Sequence, residues 1–195
     1  MILIYAVMVI VVIALLLRRD LGAIGRVSFQ GGWKLGVAVL VLFALQAVLV
    51  VYTSNQTTLH MAILIISQIA LLALLLVNYR LPGAIVFAAG VALNTTVMVA
   101  NGGWMPVTPE TANFVHPERT VELYSKPQAT KNIILPREET NLWILSDIIR
   151  VTLPWRRNAV SVGDVLLIIG VAQFIFETAP PKKRNLKFPQ TLEKA

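Results

Sequence analysis

Five apolar runs, 2–17, 33–51, 59–77, 84–100 and 160–176, constrain this chain more than any other feature. Each approaches the roughly 20 residues that a helix needs to cross about 30 Å of hydrocarbon. Hydrophobic residues make up 56% of the sequence and charged residues 14%, which leaves little polar surface to cover a globule in water. The pattern predicts an all-α membrane protein with a single membrane domain over 1–195. It takes the form of about five transmembrane helices with a long extracytoplasmic segment, 101–158, between helices four and five.

The charges give this bundle an orientation. Arg18, Arg19, Arg26 and Lys34 follow the first run, Arg80 lies between the third and fourth, and Lys182, Lys183, Arg184 and Lys187 follow the last. The positive-inside rule places these segments in the cytoplasm and puts the N-terminus, the uncharged Tyr52 to Thr58 loop and 101–158 outside. The expected location is the bacterial cytoplasmic membrane, multi-pass, with a cytoplasmic C-terminus and the first run retained as a helix. Trp33 falls at an inner helix end, and Trp104, Trp143 and Trp155 fall where the long segment meets the outer interface. The formal charge of +7 flanks apolar stretches without forming a basic surface interleaved with aromatics, so the lipid bilayer is the expected partner and nucleic acid is not.

Several chemistries lack their residues. The chain has no cysteine, hence no disulfide or thiolate site. His60 and His116 stand far apart, and no glycine loop for phosphate or nucleophile elbow is present, so neither metal nor cofactor is expected. Inside the apolar runs, Gln46, Gln68, Asn94, Thr95, Thr96 and Gln173 should turn toward neighbouring helices, and Ala84, Ala88 and Ala92 repeat at a spacing that permits close packing.

Segment 101–158 is too long to be an idle connection. Asn101-Gly102-Gly103-Trp104-Met105-Pro106 makes a sharp exit from the fourth run. Pro109, Pro117, Pro127 and Pro136 favour short extended pieces and turns. A short strand is predicted at 131–135. Thr140 is placed to cap an interfacial helix near 141–150 that is too short to span.

Two aspartates carry the chemistry. Asp147 sits among apolar neighbours near the end of that helix, and Asp164 lies about one turn inside the fifth. A short connection through Pro154 allows both carboxylates to reach one depth. Carboxylates sharing a partly desolvated site cannot both ionise cheaply, and a pair holding one proton can activate water and polarise a carbonyl. Asn94, Ser161 and Asn101 are placed to support the pair. A second reading stays open for Asp164, because Ser161-x-x-Asp164 before an apolar run is also the pattern of a helix capping box.

The stretch Leu145-Ser146-Asp147-Ile148-Ile149, Pro154-Trp155 and Val160-Ser161-Val162-Gly163-Asp164 resembles the C-terminal motifs of lipoprotein signal peptidase, an aspartic enzyme of the signal peptidase II type. The resemblance implies that Asp147 and Asp164 are catalytic and that the substrate is a lipid-anchored or membrane-embedded protein. That family's Gly-Asn-x-x-Asp-Arg motif is absent here. Over its full length, with Asn-Gly-Gly-x-Met-Pro and Ser-x-Gly-Asp, the chain resembles an uncharacterised family of bacterial polytopic membrane proteins, a domain of unknown function. The alternative to an enzyme is a non-catalytic scaffold or complex subunit that binds a partner through 101–158.

Overall fold

A computed structural model of the chain describes residues 2–52, 58–127 and 130–182. Residues 53–57 of the loop after the second run, and Lys183, Arg184 and Lys187, lie outside them, as do the side chains of Trp33, Gln46 and His60. The five apolar runs form helices α1 (Ile2–Leu16), α2 (Gly32–Tyr52), α3 (Thr58–Val77), α4 (Ala84–Ala100) and α6 (Val162–Thr178). Between α4 and α6 the chain makes β1 (Met105–Val107), α5 (Pro109–Val115), β2 (Asn132–Ile134), β3 (Ile149–Leu153) and β4 (Arg156–Val160). Strand β1 pairs in parallel with β2, and β3 pairs antiparallel with β4.

The expectation of a transmembrane bundle is corrected here, and with it the multi-pass membrane location. α1 has 15 residues, and α4 and α6 have 17 each. At 1.5 Å per residue these reach only about 22 to 26 Å, short of a hydrocarbon core of about 30 Å. α2 and α3 are longer, at 21 and 20 residues, yet both include side chains outside the described set. Among the described residues, no helix is long and apolar enough to cross a membrane. The two small sheets also correct the all-α class.

Among the described residues, some of the basic side chains that gave the bundle its orientation have partners within the fold. The Arg19 guanidinium donates to the carbonyls of Phe176 and Ala179, each at 3.2 Å, and lies over the Phe176 ring. It thereby caps the orphan carbonyls at the end of α6. The Lys182 amide donates to the Arg18 carbonyl, so the segments after α1 and α6 meet at one end of the molecule.

The helices pack in the order α2, α3, α4, α6, α1, with α4 against α6 as the most extensive contact. Four glycines explain that closeness. Gly83 and Gly90 on the α4 side and Gly163 and Gly170 on α6 are each spaced by seven residues, two turns, and so lie on one face. A Cβ on Gly90 would sit 2.7 Å from the Gly163 carbonyl oxygen, and one on Gly83 would collide with the Gly170 carbonyl. The two backbones therefore touch, antiparallel, at two points. Ala84 and Ala88 are buried beside this seam, whereas Ala92 is only partly so.

One apolar cluster, Leu64, Val97, Met98 and Met105, joins α3 and α4 to β1, and a second, Ile10, Ala14 and Ile175, joins α1 to α6. Trp104 belongs to the interior at 1% exposure, not to an interface as expected from its position, whereas Trp155 is 66% exposed. The helix expected near 141–150 is absent. Leu142 adopts a left-handed φ of 54°, a single 3-10 turn covers Trp143–Leu145, and β3 has begun by Ile149. Four of the five residues from Ile148 to Thr152 are β-branched, which favours the strand. The strand predicted at 131–135 is present as β2, and the glycine exit is present too, with Gly102 and Gly103 at φ 73° and 92°.

Candidate functional site

Strand β1 organises the site. The turn at Gly102-Gly103 throws the chain off the end of α4, and the Met105 amide then donates to the carbonyl of Lys131 at 2.8 Å. One residue on, the Pro106 carbonyl accepts from the Asp147 amide at 3.3 Å. A three-residue strand thus fixes the backbone of both Lys131 and Asp147. The β1–β2 register sets Asn132 opposite Met105, from where its Nδ2 donates to Asp147 Oδ2 at 2.8 Å.

Asp164 arrives from the other side, on the first turn of α6. Its amide donates to Ser161 Oγ at 3.0 Å, and its Oδ2 accepts from the Ser161 amide at 3.5 Å, which completes the capping box. Oδ1 is left for the interior. It accepts from Asn94 Nδ2 at 2.8 Å and lies 3.8 Å from Lys131 Nζ. Asn94 Oδ1 in turn accepts from Ser161 Oγ at 2.7 Å. The capping-box reading of Asp164 is met through Oδ2, and Oδ1 is the oxygen that meets Asn94 and Lys131.

Asp147, Asp164, Lys131, Asn132 and Asn94 all line one cavity of about 1020 Å³. Asp147 is buried at 4% exposure, whereas the Lys131 side chain, which lines the same cavity, keeps 38%. Burial pushes the Asp147 carboxyl up to about 6. Attraction to Lys131 opposes that rise, the charge of Asp164 adds to it, and the Asn132 hydrogen bond opposes it. Desolvation alone would lower Lys131, but the attraction of Asp147 and then Asp164 outweighs it and holds the ammonium above its ordinary range. A carboxyl titrating near neutrality beside a fixed cation can exchange protons with a bound molecule.

The sequence-predicted residues Asp147, Asp164, Asn94 and Ser161 thus come together. Asn101 does not join them. Its side chain donates to the carbonyls of Val97 and Asn141 and accepts from the Asn141 amide, which ties the 141 segment to the end of α4. Sequence reasoning missed Lys131 and Asn132; the one available signal was a polar pair leading an apolar strand. His116 lines the same cavity, with Nδ1 3.2 Å from Glu118 Oε1. Among the described residues, no three His, Cys, Asp or Glu side chains gather as a metal site.

Comparison with known proteins adds relatives but no activity. An uncharacterized protein of Thermotoga maritima is 37% identical over 106 residues, covering 54% of this chain and 56% of that protein's length. The chain therefore spans little more than half of that relative. No solved structure matches it. The Asn-Gly-Gly-x-Met-Pro turn that holds Lys131 and Asp147, and the Ser-x-Gly-Asp box that holds Asp164, both fall within residues 26–176, which match the model of a family of unknown function, DUF5317, and it is to this family that the chain belongs.

Proposed function

We propose that the cavity is the active site of an acid–base hydrolase acting on an amide at the end of an apolar substrate. The observation that carries this reading is that Asp147 and Asp164 line one cavity with the Lys131 ammonium keyed to both. Ionised Asp147 takes a proton from a water as its oxygen bonds to the carbonyl carbon. Lys131 steadies the oxyanion that develops. The C–N bond then breaks, and the proton passes from Asp147 to the leaving nitrogen. Asp164, tied to α4 through Asn94, keeps Lys131 in place. This differs from a bare carboxylate pair, because each aspartate has its own asparagine and a cation attracts both. The likeness of 145–170 to lipoprotein signal peptidase supports the choice of hydrolysis.

The test is release of p-nitroaniline from medium-chain acyl p-nitroanilides by the purified chain. The expected result is turnover by the wild type and a loss of about 100-fold or more in Asp147→Asn and Lys131→Met. An inactive wild type, or an Asp147→Asn variant as fast as the wild type, overturns it. One observation favours the second reading, a partner-binding role for 101–158: Tyr124, Ile144 and Trp155 are 59%, 65% and 66% exposed.

A further inference from the structure

Two residues of the cavity wall, Asp147 and Asn158, each hold a buried polar atom that has no partner among the described residues. Asp147 uses Oδ2 on Asn132, but its Oδ1 is buried without a hydrogen bond. Asn158, on β4 and 7% exposed, likewise leaves its Nδ2 buried and unpaired. Both residues line the cavity. Buried donors and acceptors are costly to leave unmade, and native proteins leave few of them. One of these atoms is an acceptor and the other a donor. The remaining wall is largely apolar, with Leu71 from α3, Phe87, Val91 and Met98 from α4, and Leu167 from α6.

We propose that the cavity binds an apolar chain ending in a neutral carboxamide, whose carbonyl oxygen accepts from Asn158 Nδ2 and whose N–H donates to Asp147 Oδ1. The proposal rests on the reading of this cavity as the substrate site, and it names the class of substrate. The alternatives fit less well. A carboxylate would bring a third negative charge beside Asp147 and Asp164 and would have no proton for Oδ1. An alkylammonium would satisfy Oδ1 but would set its charge against Lys131 and leave Asn158 facing another donor. A carboxamide matches both atoms and adds no charge to a wall that already holds Asp147, Asp164, Lys131, Arg119 and Arg156.

Isothermal titration of the purified chain with octanamide, octanoate, octylamine and octanol separates these cases, because the four share an apolar chain and differ only at the head. Octanamide should bind about tenfold or more tightly than each of the others. Asn158→Leu should remove that advantage. Asn158→Asp exchanges the donor for an acceptor and should move the preference from octanamide to octylamine, a gain that a misfolded variant cannot give. Ammonia release from octanamide is followed in the same samples. Binding without release keeps this inference and removes the hydrolytic reading. Tightest binding of octanoate, equal binding of all four probes, octanol equal to octanamide, or no binding at all would overturn it.

Discussion

Lys131 Nζ lies 3.8 Å from Asp164 Oδ1, the same oxygen that accepts the Asn94 hydrogen bond. The ammonium also attracts Asp147, so two carboxylates that approach from different parts of the chain share one cation. Lys131→Met should therefore move the Asp147 carboxyl above about 6, since the largest opposing influence is gone. Carboxyl titration followed by carbon-detected NMR or infrared difference spectra checks this. An unmoved Asp147 would show that the lysine does not reach it.

Burial of Asp147 also makes a statement about stability. Its folded pKa of about 6 exceeds the ordinary 3.8, so the folded state binds this proton more tightly than the unfolded chain does. The contribution is fully present below about pH 4 and is lost as pH rises through about 6. Over that window it amounts to about 2 to 3 kcal/mol. Other carboxylates slope the opposite way, with Asp20, Glu110 and Glu118 all held below their ordinary range. The difference between wild type and Asp147→Asn isolates the term. In urea denaturation the wild type should lose ground to the variant as pH rises, and a flat difference would rule the term out.

Asn94 should be sensitive for a structural reason. It donates to Asp164 and accepts from Ser161, so Asn94→Ala strands a partner on each side at the start of α6. A cost of about 1 to 3 kcal/mol is expected in chemical denaturation. Ser161→Ala should cost about 1 kcal/mol for the cap plus part of the same network. The double variant should then lose less than the sum, because the two share a bond. Full additivity would show that the pair is not coupled.

The glycine seam gives a prediction with an internal control. Gly90→Ala and Gly163→Ala place a methyl group against backbone oxygen, the latter also against Asn94, and should each destabilise by about 1 to 3 kcal/mol. Gly36, in α2, has nothing among the described residues within 4 Å of where its Cβ would stand. Gly36→Ala should be neutral or stabilising by up to about 1 kcal/mol. Thermal unfolding of the three variants decides it, and equal midpoints would deny the close approach.

Much of this arrangement is legible in the residues, and the parts that are not have physical reasons. Apolar length locates α1 to α4 and α6 within two residues at either end, because a long apolar run without proline has few alternatives. It does not say what surrounds each helix. Three of these helices stop short of a bilayer's thickness, and that depends on where caps and turns fall. Asp147 and Asp164 stand out as acids in apolar company. Lys131 does not, since its importance comes from a β1–β2 pairing across some 25 residues that no local pattern announces. The glycines at 83, 90, 163 and 170 are legible as matched spacings of seven at two apolar runs.

The seam has a consequence for how the site can move. Backbone contact at Gly83–Gly170 and Gly90–Gly163 leaves α4 and α6 no freedom to slide or roll, so Asn94 and Asp164 travel as one body. Lys131 and Asp147 hang instead from a three-residue strand pair. Any opening or closing of the cavity must then appear as a change in the Lys131–Asp164 separation while Asn94–Asp164 stays constant. One half of the site is fixed to the helix seam, and the other is held by the strand pair.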